Sequence, residues 1–311
     1  MNSYQHPTPE VIYEYITNTY LNSCEKRADF AKLSVKPFVP PKLYQYRSFD
    51  KDGHNINNLK NSKIWCSSVK NFNDLHEGTL KLPTGANLLY GFYKRNPNER
   101  KRFNNAWHRK PKEERDKIES DLKQLINDKT QNVFAVSCFT TNSCSNPMWA
   151  HYADKHTGFC VEFDFSLQQH PWFFPVAYSN EKIIYEDNCI GEPDCVPGED
   201  CSRCEKDAFN KCFLTKGNDW FYEQEWRIFA KNPHSGKAIN FLEKDFLGIP
   251  QDVSGCITGI YLGAMIGPEN ESQMIEVAKE KNLPIYKKVS SPDSFKLQYT
   301  LLWSPKSTMR N

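Results

Sequence analysis

Apolar and polar positions follow two different periods along this chain. Val11, Ile12, Tyr15, Ile16 and Tyr20 recur at helical spacing behind Thr8, placed as an N-cap, and Pro9 at the first helical position, so residues 1–36 read as a helical lead. KLYQYRSF and KIWCSS are short and aromatic-rich and read as strands, with NINNLKNS between them long enough for one or two helical turns. From 90 to 129 the charges alternate in sign, and a sparse stripe of Phe103, Trp107, Ile118, Leu122, Leu125 and Ile126 predicts two exposed amphipathic helices broken near Pro111. Strand-like runs follow at NVFAVSCF, GFCVEFDF, FFPVAYS, EWRIFAK, CITGIYLG, PIYKKV and FKLQYTLLW, with a helix at ESQMIEVAKEKN. The pattern predicts a single α+β domain over residues 1–311, with a mixed or split, mostly antiparallel sheet flanked by helices.

Composition changes this picture little. With 39% apolar and 25% charged residues the chain belongs among globular proteins. Its 40 basic and 38 acidic side chains leave a formal charge of +2, too small for a surface that seeks polyanions as a whole. Any nucleic-acid contact is therefore local, and the basic stretch from Lys94 to Lys117 is interrupted by Glu99, Glu113, Glu114 and Asp116, as in a solvated helix pair. No apolar run reaches the roughly 18 residues of a membrane span, and the polar start MNSYQHPTPE is unlike a secretory signal, so the expectation is a cytoplasmic protein without a membrane partner.

Eleven cysteines divide into two kinds. Cys66, Cys138 and Cys160 sit singly in apolar runs and read as reduced core thiols. Cys189, Cys195, Cys201 and Cys204 lie in a loop, 186–207, made largely of Asp, Glu, Pro and Gly, which has little apolar surface to offset its ordering entropy. Four thiolates including a C-x-x-C suit a tetrahedral structural zinc; a reduced loop and a redox switch are the alternatives. Cys212, in the apolar AFNKCFL, reads as a packed thiol instead.

The phrases LYQYRSF, SSVKNFNDLHEG, NPMWAHYADKHTGFCVEFDF, FYEQEWRIF and GIYLG, in this order across roughly 42–302, resemble a bacterial family catalogued as domain of unknown function 2971. Leu75 stands where that family has a proline after FND, which changes the turn carrying Asp74 and Glu77. A second resemblance, to ADP-ribosyltransferases, lies in Tyr46-Arg47, Ser67-Ser68 and Glu223-Gln224-Glu225. It implies an ADP-ribosyltransferase-like fold with NAD as substrate: Arg47 holding the phosphates, Ser67 or Ser68 supporting the ribose, and Glu225 stabilising the cation that develops on the sugar. On a strand Glu223 and Glu225 would share a face. The resemblance thus leads to an expectation that Arg47, Ser67 or Ser68, and Glu225 converge on one cleft, and that Glu225→Gln preserves folding while removing turnover. A structural salt bridge around Glu225-Trp226-Arg227 is the alternative reading of the same residues.

A further constellation is Trp149, His151, Tyr152, Asp154 and His156. It reads as a pocket wall in which Trp149 and Tyr152 stack on a planar ring, with a metal site and hydrogen-bonded structural histidines as alternatives. The functional expectation is an NAD-consuming ADP-ribosyltransferase or glycohydrolase, an effector in bacterial defence or toxin systems, that binds a nucleotide or dinucleotide and passes ADP-ribose to a protein or nucleic-acid acceptor. The alternatives are a metal-dependent nuclease or hydrolase built on His151, Asp154 and His156, and a noncatalytic nucleotide sensor.

Overall fold

The computed structural model describes residues 8, 11, 40–82, 84–85, 97–131, 134–167, 173–184, 211–231 and 247–305. The helical lead and the cysteine-rich loop with Cys189, Cys195, Cys201 and Cys204 lie outside the described residues. Pairing is organised around the first aromatic run, β1 (Leu43–Arg47), whose full length is hydrogen-bonded antiparallel to β4 (Phe159–Phe163), with Leu43 opposite Phe163 and Arg47 opposite Phe159. Beyond β4 come β10 (Ile257–Leu262), β11 (Ile285–Ser291) and β12 (Ser294–Trp303); on the other side come β3 (Phe134–Thr140), β2 (Lys63–Ser68) and β9 (Gly248–Asp252). The β10–β11 pair is parallel and the other pairs of this sheet are antiparallel.

The sheet forks at β3. Its full length pairs with β8 (Glu225–Lys231), while β1 meets it only at Thr140 and β2 only at Val136 and Ala135. β8 in turn carries β5 (Phe173–Pro175). A separate parallel pair joins β6 (Ala177–Ser179) to β7 (Thr215–Gly217). The mixed, mostly antiparallel α+β architecture is as the hydrophobic pattern predicts.

One face of the sheet is the main core. Leu43, Val161, Phe163, Ile260, Trp226, Ile228, Ala135 and Phe139 pack there with Leu59 of α1 (His54–Lys60). Met274, Val277 and Ala278 of the last helix (Pro268–Glu280) close the same layer. Alternation sends Tyr46, Cys160, Tyr261, Cys138, Glu225 and Arg227 to the opposite face. On that face lies the short helix Asn146–Tyr152, started by Ser145, whose hydroxyl accepts from the Met148 amide, with Pro147 in the first turn. The charged segment 97–131 forms helices Pro97–Arg109 and Lys112–Gln131, broken at Pro111 as expected, joined by contacts among Trp107, Leu122, Ile118, Leu125 and Ile126.

Candidate functional site

The far face of β8 carries a buried cluster of five charges. Arg227, fully buried, grips Glu225 in fork geometry, its Nε donating to Oε1 at 2.8 Å and one Nη to Oε2 at 3.0 Å. The other Nη donates to Glu77 Oε1 at 2.6 Å and to the Phe213 carbonyl. Lys216, from β7, donates to Glu223 Oε2 at 2.6 Å and to Glu225 Oε2 at 3.3 Å, with Glu77 Oε2 at 4.0 Å. Tyr152, the last residue of its helix, donates its hydroxyl to Glu223 Oε1 at 2.6 Å and accepts from Asn73. Trp220 lies over the Lys216 ammonium, and Tyr222 and His151 stand beside one another at the rim.

The sequence order alone would put Glu223 and Glu225 on one strand. Instead Glu223 ends a 3-10 helix (Asn218–Glu223) and Gln224 adopts a left-handed backbone, φ 43°, with its side chain accepting from Thr141 at 2.6 Å. Only Glu225 is on β8. The two carboxylates still meet, through the Lys216 ammonium they share.

Three carboxylates face two cations here, and a site closed to water cannot carry that imbalance cheaply. Burial alone would raise the Glu225 carboxyl, but Arg227 and Lys216 outweigh it and hold it at about 2. Burial pushes Glu77 up beyond what Arg227 can counter, and its Oε2 has no hydrogen-bond partner. Burial also raises Glu223, and the neighbouring Glu225 charge adds to the rise. Glu77 and Glu223 are thus the two members whose carboxyls are raised, and of these Glu223 is the one hydrogen-bonded to a tyrosine at the rim.

The expected convergence of Arg47 with Glu225 does not occur. Tyr44 lies opposite Thr140, and Thr140 opposite Glu225, so Tyr44, Tyr46 and Glu225 share a face and Arg47 points to the other. Arg47 is half-buried beside Gln45, Asn55 and Asn58, and burial lowers its pKa. Ser67 is opposite Val136, which is opposite Phe229, leaving it two strands and four residues from Glu225, or well over 10 Å at about 4.8 Å per strand. Ser68 pairs with Ala135 on the core face and its hydroxyl donates to the Gln131 carbonyl.

Trp149 and Tyr152 share a helix but serve different neighbours. Trp149 is fully buried, edge-on to Tyr46, and its indole donates to the Ser143 carbonyl, so it has no free face for a ligand ring. His156 stacks on Trp149 while His151 turns toward Tyr222, on the other side of the helix. Among the described residues no three of His, Cys, Asp and Glu come together as a metal site.

Sequence reading passed over Lys216, and its signal was a single lysine in the apolar FLTKG just ahead of NDWFYEQE. Comparison with protein families matches residues 148–228 to the family described as "Protein of unknown function (DUF2971)". That match bears out the first resemblance for this stretch, which includes Tyr152, Lys216, Glu223, Glu225 and Arg227. Neither the curated proteins nor the solved structures provide a match. No helix among the described residues is long and apolar enough to cross a membrane.

Proposed function

We propose that the chain is a glycosyl-transfer enzyme that consumes a nicotinamide dinucleotide, passing the ADP-ribosyl group to a protein or nucleic-acid acceptor or to water, with Glu223 as the acting carboxylate. The observation that carries this reading is the surplus of carboxylate over cation in the buried cluster, with Glu223 as its member nearest the rim. Breaking the bond between ribose and nicotinamide develops positive charge on the sugar, and a fixed surplus of negative charge stabilises that charge without reorganising. Tyr152, Tyr222, Trp220 and His151 supply planar surface beside the carboxylate for an aromatic base. Glu225 supports this chemistry by fixing Lys216 and Arg227, and Arg47 takes no part in it.

The test is incubation of the full chain with NAD and measurement of released nicotinamide. Wild type should turn over, and Glu223→Gln should lose about 10²- to 10³-fold while keeping its circular dichroism. A wild-type chain that releases no nicotinamide overturns the reading, and so does a Glu223→Gln variant that works as well as wild type.

A further inference from the structure

Three lysine or arginine side chains are buried among the described residues: Lys216, Arg227 and Lys288. The first two have carboxylates within hydrogen-bonding distance. Lys288, on β11 and fully buried, has no carboxylate within 4.0 Å among the described residues. Its Nζ donates instead to the Cys144 sulfur at 3.0 Å. A buried ammonium needs an anion or a set of π faces, and Lys288 has both kinds of neighbour: the Tyr299 ring centroid is 3.3 Å away, with Tyr261 at 5.9 Å and Trp149 at 6.0 Å.

The thiol is held in place from beneath and open from above. Tyr299 approaches the sulfur with its hydroxyl at 2.9 Å and also bonds Ser143. The Cys144 amide donates to Asn142 Oδ1, Tyr46 donates to the Asn142 carbonyl, and Trp149 donates to the Ser143 carbonyl, so the loop is pinned on both sides of the cysteine. Cys144 itself is exposed, unlike Cys66, Cys160, Cys212 and Cys256, which are buried.

We infer that Cys144 is a reactive thiolate site, paired with the Lys288 ammonium, that takes two-electron oxidants of the peroxide class. The titratable groups facing it from the packed elements are Tyr46 of β1, Cys160 of β4, Tyr261 of β10 and Tyr299 of β12. Burial raises all four, leaving Lys288 as the basic group among the neighbours. Glu162, the acid that β4 contributes to this face, is occupied by Tyr44, Tyr261, Thr258 and Lys42. Burial opposes the Cys144 thiolate, but its bonds from Lys288 and Tyr299 outweigh that and lower its pKa; burial likewise lowers Lys288, with the thiolate opposing.

The reaction balances with one solvent proton. The thiolate attacks one peroxide oxygen, a sulfur–oxygen bond forms and the oxygen–oxygen bond breaks, so sulfur loses two electrons and peroxide gains them. The departing hydroxide takes a proton from solvent on the open side and leaves as water. Cys144 is then a sulfenic acid, and Lys288 keeps its place beneath it.

The test is the rate of iodoacetamide alkylation at each cysteine of the full chain against pH, read by peptide mass spectrometry. Cys144 should show a midpoint below the ordinary thiol value of about 8.5. Lys288→Met should move that midpoint up to about 8.5 or beyond, and Lys288→Arg should keep it low. Stoichiometric peroxide followed by dimedone should label Cys144. A wild-type midpoint at or above about 8.5 overturns the inference whether or not Lys288→Met folds, and so does peroxide-treated wild type without a dimedone adduct at Cys144.

Discussion

Glu223 and Glu225 sit in one buried cluster yet bias stability in opposite pH windows. Glu225, held at about 2, contributes stability that is present above the unfolded carboxyl value of about 4.3 and is lost as pH falls toward 2. Glu223 and Glu77 are raised, so their contribution is complete below about 4.3 and disappears as pH rises through their folded values. Urea midpoints taken from about pH 4.5 upward should therefore fall for wild type, and Glu223→Gln should flatten part of that slope. Parallel slopes for the two proteins would show that burial does not raise Glu223 in the folded chain. Arg227→Met leaves three carboxylates to Lys216 alone and should cost about 3–5 kcal/mol in the same measurement. Glu225→Gln removes the fork that Arg227 holds, so a loss of stability is now expected where the sequence led us to expect an intact fold.

At the scale of elements, the turn between the Asn146–Tyr152 helix and β4 sets where both candidate chemistries stand. Asp154, Lys155 and His156 all have positive φ, 43°, 54° and 69°, and the chain re-enters the sheet through the Gly158 amide bonded to the Ala153 carbonyl. The His156 carbonyl accepts from the Met265 amide, which ties this turn to the loop after β10. Gly263 makes that approach feasible, because a Cβ there would lie 2.0 Å from the His156 carbonyl oxygen. Gly263→Ala should accordingly cost about 1–3 kcal/mol through forced backbone movement. Gly267→Ala, with open space around the added methyl, should lose only the N-cap preference of glycine over alanine, roughly 0.5–1 kcal/mol. Thermal melts of the two variants check this, and equal melting temperatures would show that the close approach relaxes without cost.

Across the whole molecule, cohesion is uneven. The sheet's main core joins β1, β4, β10, β3 and β8 to two helices in one continuous apolar layer. The helices at 97–109 and 112–131 have a small cluster of their own around Trp107 and Leu122, tied to the rest by the Glu119 carboxylate accepting from Gly85 and by Gln131 donating to the Glu77 carbonyl. Few buried contacts mean a low local opening free energy. Hydrogen exchange should therefore release the amides of these two helices well before those of β1, β4 and β10. Equal protection throughout would mean that the helical arm and the sheet open as one unit.

Local pattern determined the elements. Aromatic and β-branched runs became strands, Pro111 broke the charged helices, and the α+β class followed, because these are short-range consequences of side-chain shape and period. In the candidate site, the proximity of Glu225 to Arg227 was legible, since residues two apart on a strand share a face. What the chain could not reveal locally is which face that is. Period-two alternation gives relative orientation, and only the pairing of β1 with β3 and of β3 with β8 decides that Arg47 and Glu225 part company. The same holds for Lys216, brought to the acids by a strand of three residues, and for Lys288, brought to Cys144 across 144 positions of sequence. Charge placement inside a fold depends on long-range register and on the low-dielectric surroundings that register creates, and neither is written in any single segment.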